Sequence, residues 1–570
     1  MASDAPSPQR ENTPSGVPPS IPQKRALADD DHTPAISSPL NPDGKPAQRV
    51  QIQTPEEGQA AMSREKRTKK DSLKKRESKG TAAGNTDSAR ATPDRKVQKD
   101  VTLVELAPLR YKLPLPKPTD FEPPRGPVFT SHHVIQDLDG KTVEFLEPSD
   151  QVSNKKNYQY THCIADPIFP SLFYYRRTEP EPFGPHISFE DRASHVLSNS
   201  LGNHITTDKG FRTARANVAA REGRWYWECK ITRGILKKRS DGDPESHGHV
   251  RLGWARREAS LDAPVGFDAY SYGIRDVAGQ KVHMSRPKDF FPPGEDLREG
   301  DVIGLEIQLP SERLHRKVVQ GQYNPAVDLA DEELHGSGPA PEASNIVRDR
   351  IPIRFKSHIY FEKIDYHTTK ELDDLMNPSP MAAGASSEPP NPNHPAPALR
   401  TLPNSHIKLY KNGVLMGTPF TDLLSFLPPA SKMTQQPPGR ECLDDGSLGY
   451  YPAVSVFRGG AVELNFGPDF WFPPPGISAA GEGEGSAEDV DMVDAGAVPR
   501  RPPPNLAPIS DRYSEQIAED IVYDIIDEVG FLMQDGGKVV DRTGKDDKAS
   551  EAPGLVPVAS EDIKELVQDD

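Results

Sequence analysis

GRWYWECKITRG at residues 223–234, a polar loop KKRSDGDPESHG at 237–248 and HVRLGWA at 249–255 form the stretch around which this chain is organised. In the first segment Trp225, Trp227, Cys229 and Ile231 alternate with Tyr226, Glu228, Lys230 and Thr232, so one face is apolar and the other is expected to be wet. In the second, Val250, Leu252 and Trp254 alternate with Arg251 and Gly253, which turns Arg251 away from the core. The two segments read as a hairpin of half-buried antiparallel strands. Three of the four tryptophans fall here, and at about 25 cal/mol per Å² of buried apolar area they dominate whatever core forms.

Strand signals continue on both sides. Residues 211–218 follow the turn Asp208-Lys209-Gly210 and place Ala214, Ala216 and Val218 on one face, Thr213 and Arg215 on the other. VIGLEIQL (302–309), IPIRFKSHIYFEKIDY (351–366), IKLYKNGVLMG (407–417), YPAVSVF (451–457) and AVELNFG (461–467) follow, with turns expected at Asn412-Gly413 and Gly459-Gly460. No long amphipathic helix interrupts the series, so the expectation is all-β: an antiparallel β-sandwich over 186–475. Polar insertions at 311–350, 376–403 and 428–447 separate its strands, which a sandwich tolerates because loop closure costs grow slowly with length.

The 570 residues include 60 prolines and 43 glycines with only 34% apolar residues, and mean hydropathy is -0.68. Much of the chain is therefore expected to stay unfolded. Residues 1–100 read as a disordered tail, 101–185 as a partly ordered segment, 476–508 as an acidic linker and 531–570 as a second disordered tail. Within 101–185, Asp139-Gly140 flanked by Val134, Ile135, Leu138, Val143 and Phe145 suggests a small hairpin. An aromatic cluster at Ile168, Phe169, Leu172, Phe173, Tyr174 and Tyr175 is too apolar to stay wet.

A net charge of -16 argues against general polyanion binding. The tail still holds a basic block, Arg64 to Lys79, in which Arg64, Lys66, Arg67, Lys69, Lys70, Lys74, Lys75 and Arg76 stand out; a nuclear import signal, a DNA contact and a solvated charge run all fit it. Three dispersed cysteines, Cys163, Cys229 and Cys442, exclude a disulfide scaffold, a cysteine-rich zinc finger and a RING, and point to a reducing compartment. No membrane span or secretory leader is expected.

No metal, cofactor or catalytic motif emerges: H-E-x-x-H, G-x-S-x-G, a P-loop and G-x-G-x-x-G are all missing from the sequence. Cys229 reads as a small core hydrophobe, and no carboxylate pair stands out for glycoside hydrolysis, so an enzyme is not expected. Arg215 and Arg251 each face away from an apolar set. They could line a shared pocket for a carboxylate or phosphate, or make ordinary surface ion pairs. Over 509–530, Ile517, Ile521, Val522, Ile525 and Val529 form the apolar stripe of a helix whose other face is acidic. At the end of a flexible tether it reads as a helix that docks in a partner's groove, the alternative being one that folds back on the sandwich.

These residues resemble a SPRY domain, and more closely the absent, small, or homeotic discs family, fungal branch, the SPRY subunit of COMPASS or trithorax-type histone methyltransferase complexes. RLGW (251–254), YKNG (410–413) and NFGP (465–468), followed by AEDIVYDIIDEV (518–529), carry the likeness. It implies a nuclear, non-catalytic scaffold that raises histone H3 methylation by a SET-domain subunit. Arg215 and Arg251 match the family's pocket arginines, which would grip an acidic segment of a WD-repeat subunit. The helix would enter the groove of a small dumpy-type docking dimer. The zinc-bearing finger of animal members cannot be built here, leaving the block at Arg64 as the nucleosome-contact candidate. The competing reading is a SPRY receptor of another complex such as a ubiquitin ligase.

Overall fold

The computed structural model describes residues 116–136, 140–154, 158–166, 175–238, 244–335, 351–364, 368–378, 388–428, 444–477 and 505–534, together with Ile346, Arg348 and three two-residue strands at 110–111, 555–556 and 565–566. The expected basic block at Arg64 to Lys79 lies outside the described residues, as do residues 168–174 of the aromatic cluster; Tyr175 is described and buried.

Two antiparallel sheets face each other across one core. The larger runs, in spatial order, Val414–Thr421, His406–Lys411, Val302–Leu309, Gly223–Arg233, Ala461–Asn465, His204–Thr206, Leu197–Ser198, Thr142–Pro148 and Phe129–Gln136. The second runs Arg286–Lys288, Lys281–His283, Ser271–Arg275, His249–Ala255, Tyr451–Phe457, Arg212–Ala216 and Ile187–Arg192. Trp225, Trp227, Cys229 and Ile231 from the first sheet and Val250, Leu252 and Trp254 from the second all enter this core.

The hairpin expected of 223–255 does not form. Gly223–Arg233 pairs with Val302–Leu309 and Ala461–Asn465, whereas His249–Ala255 pairs with Ser271–Arg275 and Tyr451–Phe457. The chain crosses from one sheet to the other between them, so alternation gave each strand's inward face correctly but not its partner.

The face of Gly223–Arg233 expected to be wet is also mostly covered. Tyr226, Glu228 and Thr232 are buried. The backbone N–H groups of Trp471 and Phe472 donate to the Glu228 carboxylate at 2.7 and 3.0 Å, and the Tyr226 ring lies over Gly304, where a Cβ would meet its hydroxyl at 1.9 Å. A downstream segment laid across the sheet is invisible to local alternation.

Asn412 and Gly413, both with positive φ, make the expected tight turn between His406–Lys411 and Val414–Thr421. The second turn sits at Arg458 and Gly459, one residue earlier than expected, and links the two sheets rather than closing a hairpin. Phe129–Gln136 and Thr142–Pro148 pair around Gly140 as expected and extend the larger sheet through Leu146 and Ser198.

IPIRFKSHIYFEKI (351–364) belongs to a third sheet. Ile351–Phe355 and His358–Ile364 form a hairpin that continues through Tyr158–Ala165 to Tyr175–Arg177, with Glu565–Leu566 on the far side of Ile351–Phe355. It has its own apolar clusters, around Tyr158, Tyr160 and Tyr360 on one side and Cys163, Tyr175 and Phe361 on the other. The insertion 311–350 carries two helices, Glu312–Gln320 and Pro325–His335; Leu314 N–H donates to Ser311 Oγ at the start of the first, and Gly321 ends it in the left-handed conformation.

Candidate functional site

The two expected pocket arginines have different environments. Arg215 points to the outer face of its sheet, as alternation required, but the segments 191 and 256–259 close over it. It is 2% exposed, its Nε and Nη2 donate to Asp191 at 2.8 and 2.6 Å, and its Nη1 donates to the carbonyls of Arg256 and Ala259 at 2.9 Å each. Burial alone would raise the Asp191 carboxyl, yet Arg215 overrides it and holds that group below the usual carboxylate range. Asn154 donates to Asp191 and accepts from Tyr160 N–H, which ties the cluster to the third sheet. Arg215 is an internal pin that holds Asp191 of the neighbouring strand and the turn at 256–259, and its buried guanidinium is engaged at Nε, Nη1 and Nη2.

Arg251 remains partly exposed. Strand register puts it opposite Arg275 on one side and Ser455 on the other, and its guanidinium lies over Phe211 with Cζ 5.0 Å from the ring centroid. Its Nε is buried without a hydrogen-bond partner in the protein. Partial burial, with Arg275 adding to it, holds the Arg251 guanidinium below its ordinary value, against the pull of Asp276. Two cations in register destabilise each other, so an anion placed between them is favoured. Arg275 was not singled out from sequence because its partnership depends on the register of two strands some twenty residues apart.

The C-terminal helix is the second candidate surface. It spans Ile509–Gln534, starting where expected and running four residues further at its C-terminal end. It does not hang on a free tether: Ala507–Pro508 pairs in parallel with Trp225 and Tyr226, Ile477 bridges Leu506, and Ile509 is fully buried. The helix packs on the molecule, but through its polar face. Gln516 accepts from Ala219 N–H and donates to the Asn217 carbonyl, and Tyr513 donates to Glu179 at 2.8 Å. Further along, Asp520 meets Arg177, Asp524 and Asp527 meet Arg348, and Glu528 meets Arg176. The expected apolar stripe faces outward: Ile517, Ile521, Val522, Ile525 and Val529 are 38–53% exposed, joined by Ile526. Sequence periodicity found the stripe and the acidic face. It could not say which of them faces the protein.

Among the described residues no group of three or more His, Cys, Asp or Glu side chains is placed to hold a metal, and no helix is long and apolar enough to cross a membrane. Cys163 and Cys229 are buried, and burial, with Glu463 adding to it, pushes the Cys229 thiol well above its usual range.

No protein-family model matches the chain. COMPASS component cclA of Colletotrichum higginsianum is 61% identical over 588 residues, covering 100% of both chains. The chain belongs to the COMPASS component family. Within it, cclA of Emericella nidulans is 40% identical over 88% of this chain and 79% of its own, and Set1 complex component ash2 of Schizosaccharomyces pombe is 36% identical over 75% of this chain and 53% of its own. A crystal structure of a human SPRY domain aligns with 49% of this chain and 98% of its own at 14% identity and a TM-score of 0.23; at that score the sandwich of this COMPASS family member rests on its strand order, not on the likeness.

Proposed function

We propose that this protein is a non-catalytic scaffold subunit of a Set1/COMPASS-type histone H3 lysine methyltransferase complex in the nucleus, with two docking surfaces. The helix stripe Ile517, Ile521, Val522, Ile525 and Val529 enters the groove of a small dumpy-type dimer. The outer face around Arg251 and Arg275 takes an acidic segment of a WD-repeat subunit, and together these contacts support the SET-domain subunit. The observation that carries the reading is the helix: six large aliphatic side chains exposed along one ordered surface are an interaction site in a protein with no membrane-spanning helix among its described residues.

The relatives' names, COMPASS component and Set1 complex component, supply the assembly in which to test it. Histone H3 methylation of nucleosomes by a reconstituted SET-domain and WD-repeat core is measured with and without the full chain. A clear rise is expected. No rise with an active core and a folded protein sends the search to other complexes by pulldown, where ubiquitin-ligase subunits are the competing outcome. For the Arg64 to Lys79 block, the proposed role is nuclear import or nucleosome contact; neutralising it should redistribute the protein to the cytoplasm or weaken nucleosome binding.

A further inference from the structure

An amphipathic helix beside a folded core ordinarily buries its apolar stripe. Here the stripe faces out, and a row of carboxylates faces in. Asp520, Asp524, Asp527 and Glu528 recur at the spacing of one helix face and meet three cations from elsewhere in the chain. Arg177 Nη1 lies 3.0 Å from Asp520; Arg348 Nη2 lies 2.8 Å from Asp524 and 2.5 Å from Asp527; Arg176 Nη2 lies 2.5 Å from Glu528 while its Nε bonds Asp166 at 2.8 Å. Arg348 is itself buried, and so are Asp524, Asp527 and Glu528. Carboxylates are almost never buried without a partner, so these pairs fix the roll of the helix.

We infer that Arg176, Arg177 and Arg348 are positioning residues for partner docking: by holding the acidic face they aim the stripe outward, although none of them lies on it. The inference rests on the proposed reading of the stripe as the dimer's docking surface. Without these cations the buried carboxylates lose their compensation, and the helix gains by rolling its stripe onto the molecule or by leaving. Either response lowers the fraction of molecules that present the stripe, and apparent affinity falls by that fraction.

The test uses the full chain carrying Arg177→Glu, Asp520→Arg, or both. This pair is the most solvent-accessible of the clamp, with both side chains about a fifth exposed, so the fold tolerates the change. Amide exchange across residues 516–529 and affinity for a recombinant dumpy-type dimer are measured together. Each single variant should lose about tenfold in protection and in affinity, and the double variant should recover both. Unchanged protection in the single variants, unchanged affinity despite lost protection, or a double variant that recovers neither would overturn the inference. Ile521→Asp is run alongside: if it still binds the dimer, the docking reading fails, while the exchange data continue to judge the clamp. Asp520→Asn, which removes the pair without reversing charge, should show a smaller loss of the same kind, and a loss as large as that of the charge reversal would count against a charge-based clamp.

Discussion

Trp227 and Trp254 meet edge to face across the sandwich, with ring centroids 6.3 Å apart and planes at 88°, one from each sheet. Neither indole N–H finds a hydrogen-bond partner, so the pair contributes through packing alone. Trp254→Ala should cost about 3–5 kcal/mol of stability in chemical denaturation. Trp254→Phe, which removes the unsatisfied N–H while keeping a ring, should cost clearly less; equal losses would show that the contact is not one of shape.

Arg215 and Arg251 should respond in opposite ways. Arg215→Ala strands Asp191 in a buried site and is expected to destabilise the protein by about 3–5 kcal/mol. Arg251→Ala should leave the midpoint of unfolding nearly unchanged and weaken capture of an acidic WD-repeat segment by about 1.5–3 kcal/mol. Calorimetric binding of that segment by the two variants separates the roles. A stable Arg215→Ala protein would contradict the internal pin.

Ile521→Asp should abolish capture of the docking dimer. Because Ile521 is half exposed, the change in folding stability should stay within about 0.5 kcal/mol. A lowered melting temperature would mean that the stripe is covered in solution.

Acid should act on the helix and on the sandwich with opposite signs. Burial, with a carboxyl–carboxyl contact to Asp166 adding to it and Arg176 opposing, pushes Glu528 up to about 7 from an ordinary value of 4.5. The seated helix thus binds more protons than the released one between those values. Glu528's own contribution to seating is fully present below the lower value and is lost as pH rises through 7. His283 and His315 are pushed down to about 4 and about 3, chiefly by burial, so they favour unfolding once pH falls below the ordinary histidine value of 6.5. Limited proteolysis near residues 524–529 should accelerate from pH 5.5 to 7.5, while global stability rises over the same range. Parallel trends would remove Glu528 from the account.

The sandwich was readable because alternation reports inward faces directly: every expected apolar residue from Trp225 to Ile231 and from Val250 to Trp254 is in the core. What alternation lacks is long-range information. It could not show that these strands lie in separate sheets, that Trp471 and Phe472 cover Glu228, or that Arg215 is closed over by residues 256–259. The third sheet was missed for the same reason, since Tyr158–Ala165 and His358–Ile364 pair across about two hundred residues. In the helix both faces were correctly sorted, but the cations that decide its orientation, Arg176, Arg177 and Arg348, come from other parts of the chain.

Ile477 and Leu506 form a parallel bridge, so the two residues that flank the acidic run are held side by side. The helix that follows is therefore held by its own anchors, the pairing of Ala507–Pro508 with Trp225 and Tyr226 and the burial of Ile509, whatever the length of the run before it. Because closure entropy rises only with the logarithm of length, residues 478–504 can be extended, shortened or replaced by a reporter while Ile509 keeps its place under the sheet.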